Sequence, residues 1–532
     1  MKRYKSITIG VMALAMLALN SCKKYLTTEL TSASQTDVSY YKTPADAFTS
    51  LVGCYNGLDV IYDGEQLPAM MEVFSDDGFG GTGASDGYGW EMLDEFNKTV
   101  SPSDVAIHSA GWKGYYQAIY RCNALLQHMN QINWGDSSLL RKQYTAEAKF
   151  IRAYCYFDLA RLFEKVPLLT TPSLANVPQS DPALTYAQIM SDLRYAADSL
   201  PSAPYTSVPN GRVTKWAAES MLARVYLFYS GYYGQATIGN ETAATALAAV
   251  EDVIAHSGHG LVTNFTTLWP AASLAKKVTY AGEDNKEVVF SIKYSSTGDY
   301  NGNTTGNDWL VMMGERDQSM YPYGYGWGAC PVDPNLVAQF DQTNDSRYFA
   351  SFISIAGEHL PYTKASDSRE YTGYFMKKYS PICDSLNNPL PANNYLVAQD
   401  QDYFVIRYAD VLLMAAELGS PNAVSYFNQV HQRAIPSAAA VTSVSKAQIL
   451  AERRLEFAGE GIRYWDVLRQ GLATAASTIA ANTTVSLIND GTGAPPSAAT
   501  LQANITATRG FQQIPVDQIT LSSGVLKQNA GW

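Results

Sequence analysis

Between residues 321 and 328 the chain places aromatic rings at every second position, Tyr321, Tyr323, Tyr325 and Trp327, spaced by Pro322, Gly324 and Gly326. In an extended backbone alternate side chains share one side, so the spacing predicts a shelf of rings left bare by the small residues between them. Core strands rarely use glycine at alternate positions, because it weakens the strand. Such a shelf can stack on the C–H faces of sugars while their hydroxyls are bonded at its edge. The same rings could instead pack beneath a loop or face a protein partner. A second stretch, Phe74-Ser75-Asp76-Asp77-Gly78-Phe79-Gly80-Gly81, continues through Tyr88 and Trp90. Asp76 and Asp77 offer acceptors for sugar hydroxyls and Trp90 a ring, although adjacent aspartates before a glycine equally make an Asx turn. Tyr300, and Trp309 flanked by Asn307 and Asp308, complete the candidate binding residues.

Catalytic and metal chemistry find no support. Gly78 to Gly83 satisfies the dinucleotide-loop pattern and Gly83 to Gly87 the nucleophile-elbow pattern, but each requires a strand before it and a helix after it, and neither context is predicted. Consecutive carboxylates such as Asp76 and Asp77 tend to diverge, unlike a pair facing across a glycosidic bond. The six histidines show no HExxH-type spacing and the six cysteines no CxxC, so neither a metal site nor a cofactor is expected.

Lys2, Arg3 and Lys5 precede an uncharged run from Ile7 to Leu19, too short to span a bilayer, and then Asn20-Ser21-Cys22. This is the pattern of a secretory signal (1–21) ending at a lipobox, with Cys22 as the lipidated first residue of the mature chain. The formal net charge is −11, and loss of the signal leaves a still more acidic protein. Such a surface argues against nucleic acid and against adhesion to anionic lipids.

Helical periodicity fills the first half. Thr43-Pro44-Ala45-Asp46 opens one helix. Others are predicted over 105–132, 138–163, from a Thr185/Gln188 capping box to Leu200, over 214–229 and over 243–256. Their lengths and order suggest antiparallel hairpins, as in tetratricopeptide-like arrays. From 261 to 401 the pattern fades into Gly, Asn, Asp, Ser and Tyr, with a short strand at 287–292; a long irregular stretch inside a compact protein usually carries function. Helices are predicted again over 404–418, 422–430, 445–459 and 464–472, followed by a Ser/Thr/Ala-rich loop and a tail.

The ordered motifs Cys22-Lys23-Lys24-Tyr25-Leu26, Ala146-Glu147-Ala148-Lys149-Phe150-Ile151-Arg152-Ala153-Tyr154, Arg407-Tyr408-Ala409-Asp410, Glu452-Arg453-Arg454-Leu455-Glu456, Gly461-Ile462-Arg463, Ile514-Pro515 and Gln528-Asn529-Ala530-Gly531-Trp532 resemble the SusD/RagB nutrient-binding outer-membrane lipoproteins of Bacteroidota. The alternating charges at 452–466 are best explained as ion pairs that fix helix ends and not as ligand contacts. The resemblance implies a mainly α fold, a tetratricopeptide-like array of helical pairs with a long irregular insertion carrying short strands. Its halves would be 22–260 and 261–532, forming one compact unit. It also implies ligand contacts from the loop after the first helices and from the irregular middle. The expected function is non-enzymatic: capture of an oligosaccharide at the cell surface and delivery to a SusC-like TonB-dependent transporter, the protein being held to the outer membrane by its lipid. An oligopeptide carrier of the RagB type is the alternative, and a surface glycosidase a third reading.

Overall fold

The computed structural model describes residues 40–65, 67–83, 85–209, 211–363, 368–481 and 496–532; Cys22 and its lipid-anchor expectation lie outside them. Helix α1 (Pro44–Glu65) begins where the sequence places it. The Thr43 amide donates to Asp46 Oδ2 at 2.8 Å and the Asp46 amide to Thr43 Oγ1 at 3.3 Å, the reciprocal bonds of a capping box. Helices α2 (Leu67–Val73) and α3 (Gly89–Asp94) flank the glycine-rich loop. The long helices α4 (Ser109–His128), α5 (Ser138–Phe163), α6 (Pro182–Ser199), α7 (Lys215–Tyr233) and α8 (Ala243–His256) follow. Helix α1 packs on α4, and each later helix packs on the next, giving the array of helical pairs. Small residues let α1 and α4 approach closely: a Cβ on Gly57 would lie 2.6 Å from that of Ala118.

Helix α5 is the central rod. From Ala146 to Phe163 nearly every side chain is buried, so it shows no single apolar stripe. Its polar groups are satisfied internally. Arg152 grips Asp192 of α6 with two bonds at 2.8 and 2.9 Å, and Asp158 accepts the hydroxyls of Tyr62 and Tyr115 at 2.8 and 3.0 Å. The tail closes over its end. The Gln512 amide donates to Leu162 O at 2.7 Å, and Asn529 Nδ2 donates to Phe163 O at 3.1 Å. One continuous core cluster accordingly runs from Tyr41 to Leu526.

The irregular stretch carries short strands: β1 (Val288–Ile292), β2 (Glu315–Arg316), β3 (Tyr325–Gly326), β4 (Ile382–Cys383), β5 (Pro389–Leu390) and β6 (Tyr403–Arg407). Helices α9 (Tyr408–Glu417), α10 (Lys446–Glu456) and α11 (Arg463–Leu468) belong to the second half. Four expectations need correction. Residues 403–407 form a strand antiparallel to β1 before α9 begins; every side chain in it is buried, and periodicity alone does not separate a fully buried strand from a helix. Helix α6 starts at Pro182 with Asp181 as its cap, accepting the Ala183 amide at 2.8 Å, so Thr185 lies inside the helix and caps nothing. The 464–472 helix ends at Leu468, and Gly471, at φ 105°, separates it from a new helix, Leu472–Ala480. Ala498–Thr508 is a helix capped by Ser497 in what was expected to be loop. By contrast, Ser445 and Gln448 form the expected capping box on α10.

Candidate functional site

The two loops singled out by sequence are brought together, but not every side chain faces outward. Asp76 and Asp77 are buried. Arg463 of α11 donates from Nε and Nη2 to the two Asp76 oxygens, both at 2.8 Å, while Arg454 of α10 donates from Nε to Asp77 Oδ1 at 2.8 Å. Burial opposes the charge on Asp76, yet Arg463 outweighs it and holds the carboxyl below its ordinary range; on Asp77 burial wins and the value rises. As acceptors for a ligand these two residues are therefore corrected: they are spent on the arginines of the second half.

Those arginines belong to a larger lattice. Arg407, fully buried, bonds Glu287 at 2.6 Å, Glu456 at 2.8 Å and Glu460 at 2.7 and 2.8 Å. Arg453 joins Asp410 to Asp466, and Arg347 joins Asp345 to Glu452. The charge-rich motifs thus fix α9, α10 and α11 to one another and to the first loop, as the alternating charges implied.

Past Asp77 the glycine loop is laced to the second loop by backbone bonds. Phe79 N donates to Pro331 O at 2.9 Å, Gly81 N to Ala329 O at 3.0 Å and Thr82 N to Gly328 O at 2.7 Å, while Arg369 N donates to Thr82 O at 3.0 Å. A Cβ on Gly81 would sit 2.3 Å from Gly328 O, so glycine is what this approach requires. This is a paired segment and neither a phosphate cradle nor a nucleophile elbow. It carries Tyr88, half-buried, with the Arg369 guanidinium 4.3 Å from its ring centroid. Trp90, in the first turn of α3, is buried in the core and is corrected as a ligand contact.

The alternating shelf is also corrected. Met320 and Tyr323 exchange backbone bonds at 2.8 and 2.7 Å, so the chain turns instead of extending. Tyr323 is buried with its hydroxyl 2.6 Å from Glu358 Oε2, whereas Tyr321 and Trp327 are 39% and 43% exposed. Tyr325 is half-buried and lies 4.6 Å, centroid to centroid, from Tyr395. Its hydroxyl is raised by burial and by nearby Tyr300, itself 65% exposed. Trp309 is fully buried, donating from Nε1 to Tyr294 at 3.1 Å and packed on Tyr379 and Tyr403, and drops out of the candidate set. The glycines do not bare the rings; they let backbones touch. A Cβ on Gly326 would meet Val311 O at 2.4 Å, and one on Gly324 would meet Tyr395 Oη at 2.5 Å.

What remains is a set of exposed or half-buried rings, Tyr88, Tyr300, Tyr321, Tyr325 and Trp327, with the loops of Tyr88 and Trp327 tied to each other. Arg316 makes the tie, donating from Nη1 to Asp86 Oδ2 at 2.9 Å and to the Trp327 carbonyl at 3.3 Å. Sequence reasoning missed Tyr395 and Asn387, whose Oδ1 accepts the Tyr321 amide at 2.8 Å; the run Asn387-Asn388…Asn393-Asn394-Tyr395 was the available signal. Among the described residues no three His, Cys, Asp or Glu side chains converge as metal ligands, and no helix is long and apolar enough to cross a membrane.

A helical-pair array that holds exposed rings on an irregular, loop-rich insertion defines a class of binding platform. Comparison supplies the family. Residues 286–532 match the model of the SusD family, and residues 61–227 match one described as starch-binding associating with outer membrane. The chain belongs to the SusD family. It is 27% identical over 516 residues to SusD-like protein P38 of Formosa agariphila, covering 89% of this chain and 93% of the relative. A SusD-like protein of Bacteroides ovatus is 27% identical over 382 residues, 68% of this chain and 65% of that one. Among solved structures, a laminarin binding SusD-like protein aligns with a TM-score of 0.73 at 26% identity, covering 92% of this chain and 100% of its own. Surface glycan-binding protein A from Bacteroides thetaiotaomicron, in complex with laminarihexaose, shares the fold at a TM-score of 0.72 and 22% identity, with 92% and 100% covered.

Proposed function

We propose that this chain is a non-catalytic glycan-binding protein, tethered to the outer membrane through Cys22, that captures an oligosaccharide at the cell surface and delivers it to a SusC-like TonB-dependent transporter. The observation that carries this reading is the contrast in exposure among the aromatics. Most rings are sunk in the core, while Tyr300, Tyr321 and Trp327 stand open on loops rigidly laced to their neighbours. Open, pre-positioned rings cost a sugar ligand little ordering on binding. The laminarin binding SusD-like protein named above supports the ligand class. The transporter follows from the family. In keeping with it, the helical face holds a cleft of 540 Å³ between α4 and the tail, rimmed by Tyr120, Leu174 and Leu521, all exposed. Such an apolar rim suits a protein partner.

The test is replacement of Tyr300, Tyr325 and Trp327 together by alanine, read on a glycan array and an oligopeptide pool with thermal unfolding alongside. The expected result is loss of glycan binding, by about 1–3 kcal/mol for each ring that stacks, with the melting temperature unchanged. Undiminished affinity for every bound glycan would misplace the site, and selective capture of peptides would favour the oligopeptide carrier.

A further inference from the structure

We infer that the ring surface takes electrically neutral glycans and turns away those bearing uronate or sulfate groups; this rests on the glycan-binding reading above. The segments that carry and edge the rings, 74–97, 294–330 and 379–402, contain thirteen acidic residues and one basic residue, Arg316. That guanidinium is already engaged. It is buried, bonded to Asp86 and to the Trp327 carbonyl, and 3.7 Å from Asp317. Arg369, which reaches the same place from beneath, is buried too and donates to Thr82 Oγ1 at 2.7 Å while lying over Tyr88. Among the described residues of these segments no guanidinium or ammonium is therefore presented outward as the fork that sulfate or carboxylate recognition uses.

Carboxylates do reach the surface. Asp86 and Asp317 are exposed beside Trp327. Asp384 lies in the hairpin whose Asn387 holds the Tyr321 backbone, and Asp299 precedes Tyr300. Asp384 is kept ionised by Asn388 and by the loop amides, and Asp299 accepts the Asn301 amide at 2.7 Å, which fixes its oxygens near the ring. Such oxygens accept hydrogen bonds from sugar hydroxyls, and their field repels a second anion. Specificity would then come from the wrong ligand being refused as much as from the right one being held.

Calorimetry on the full mature chain tests this. The probes are uncharged gluco-, xylo- and manno-oligosaccharides and length-matched oligosaccharides carrying uronate or sulfate, at low and high salt with a chelator present. A neutral oligosaccharide should bind with an affinity that salt leaves unchanged, and its anionic counterpart about tenfold or more weaker, the gap narrowing as salt screens the carboxylates. Charge reversal, Asp317→Lys with Asp384→Lys, should raise the affinity for the anionic oligosaccharide relative to its neutral counterpart by about tenfold, and an unchanged ratio would overturn the inference. An anionic oligosaccharide binding the unaltered protein as tightly as its neutral counterpart overturns the inference and leaves glycan binding standing. Failure of both classes to bind sinks the glycan reading itself.

Discussion

The arginine lattice and the ring surface use side chains in opposite ways. In the lattice, Arg407, Arg453 and Arg347 are sealed from water with carboxylates on several sides. On the surface, Tyr300, Tyr321 and Trp327 face water, and the precision of the site comes from backbone bonds between glycine-rich segments. Buried ion pairs give little net stability, but removing one partner is severe, because the other charge stays behind without compensation. Exposed rings contribute little to the fold and are free to change with the ligand. The motifs that identify the family are thus the frame, and the residues that would meet a ligand lie between them.

The largest effect should follow from Arg407→Ala, which removes the cation shared by Glu287, Glu456 and Glu460 and leaves those three buried carboxylates to Arg433, Arg347 and Lys378 alone. A loss of about 3–5 kcal/mol or more is expected in urea unfolding, or no soluble protein at all. Arg407→Lys should rescue only part of this, since one ammonium cannot reproduce the planar fork. A variant as stable as the parent would mean that the lattice is hydrated and that its contrast with the ring surface is only apparent. Next in size is Tyr323→Ala. It would open a cavity under the loop and leave Glu358 without its hydroxyl partner, costing about 3–5 kcal/mol, whereas Trp327→Ala should change stability by no more than about 0.5 kcal/mol. If Tyr323→Ala instead left unfolding untouched and removed ligand binding, the ring would belong to the surface after all.

Much of the frame was legible in the sequence, and less of the site. Capping residues at Thr43 and Ser445 and long apolar periods fixed helix positions, because those signals are local. The split of 403–417 into β6 and α9 was not readable, since pairing with β1 lies more than a hundred residues away. The rings at 321, 325 and 327 were found by their spacing, but the same spacing included Tyr323, which a turn at Met320 carries inward. Asp76 and Asp77 misled for a related reason. A carboxylate in a polar loop looks available until the partners, Arg454 and Arg463, arrive from nearly four hundred residues further on.

Titration gives the smallest effects, and the two regions should respond to pH in opposite senses. Burial resists the charge on Glu417 at the edge of the lattice, but Arg469 prevails and holds it down to about 2, below its ordinary 4.5. A depressed carboxyl contributes stability that is complete above its unfolded value and disappears as pH falls from 4.5 toward 2. Glu315, beneath the ring loop, is pushed by burial from 4.5 up to about 8. Its proton is held more tightly in the folded state, so stability declines as pH climbs from 4.5 toward 8. Glu315→Gln keeps the shape and removes the proton. The decline between about pH 5 and pH 8 should flatten by on the order of 1–2 kcal/mol in urea unfolding, with the acid limb untouched. An unchanged alkaline slope would mean that water reaches Glu315, and then the floor under the rings would be as open as the rings themselves.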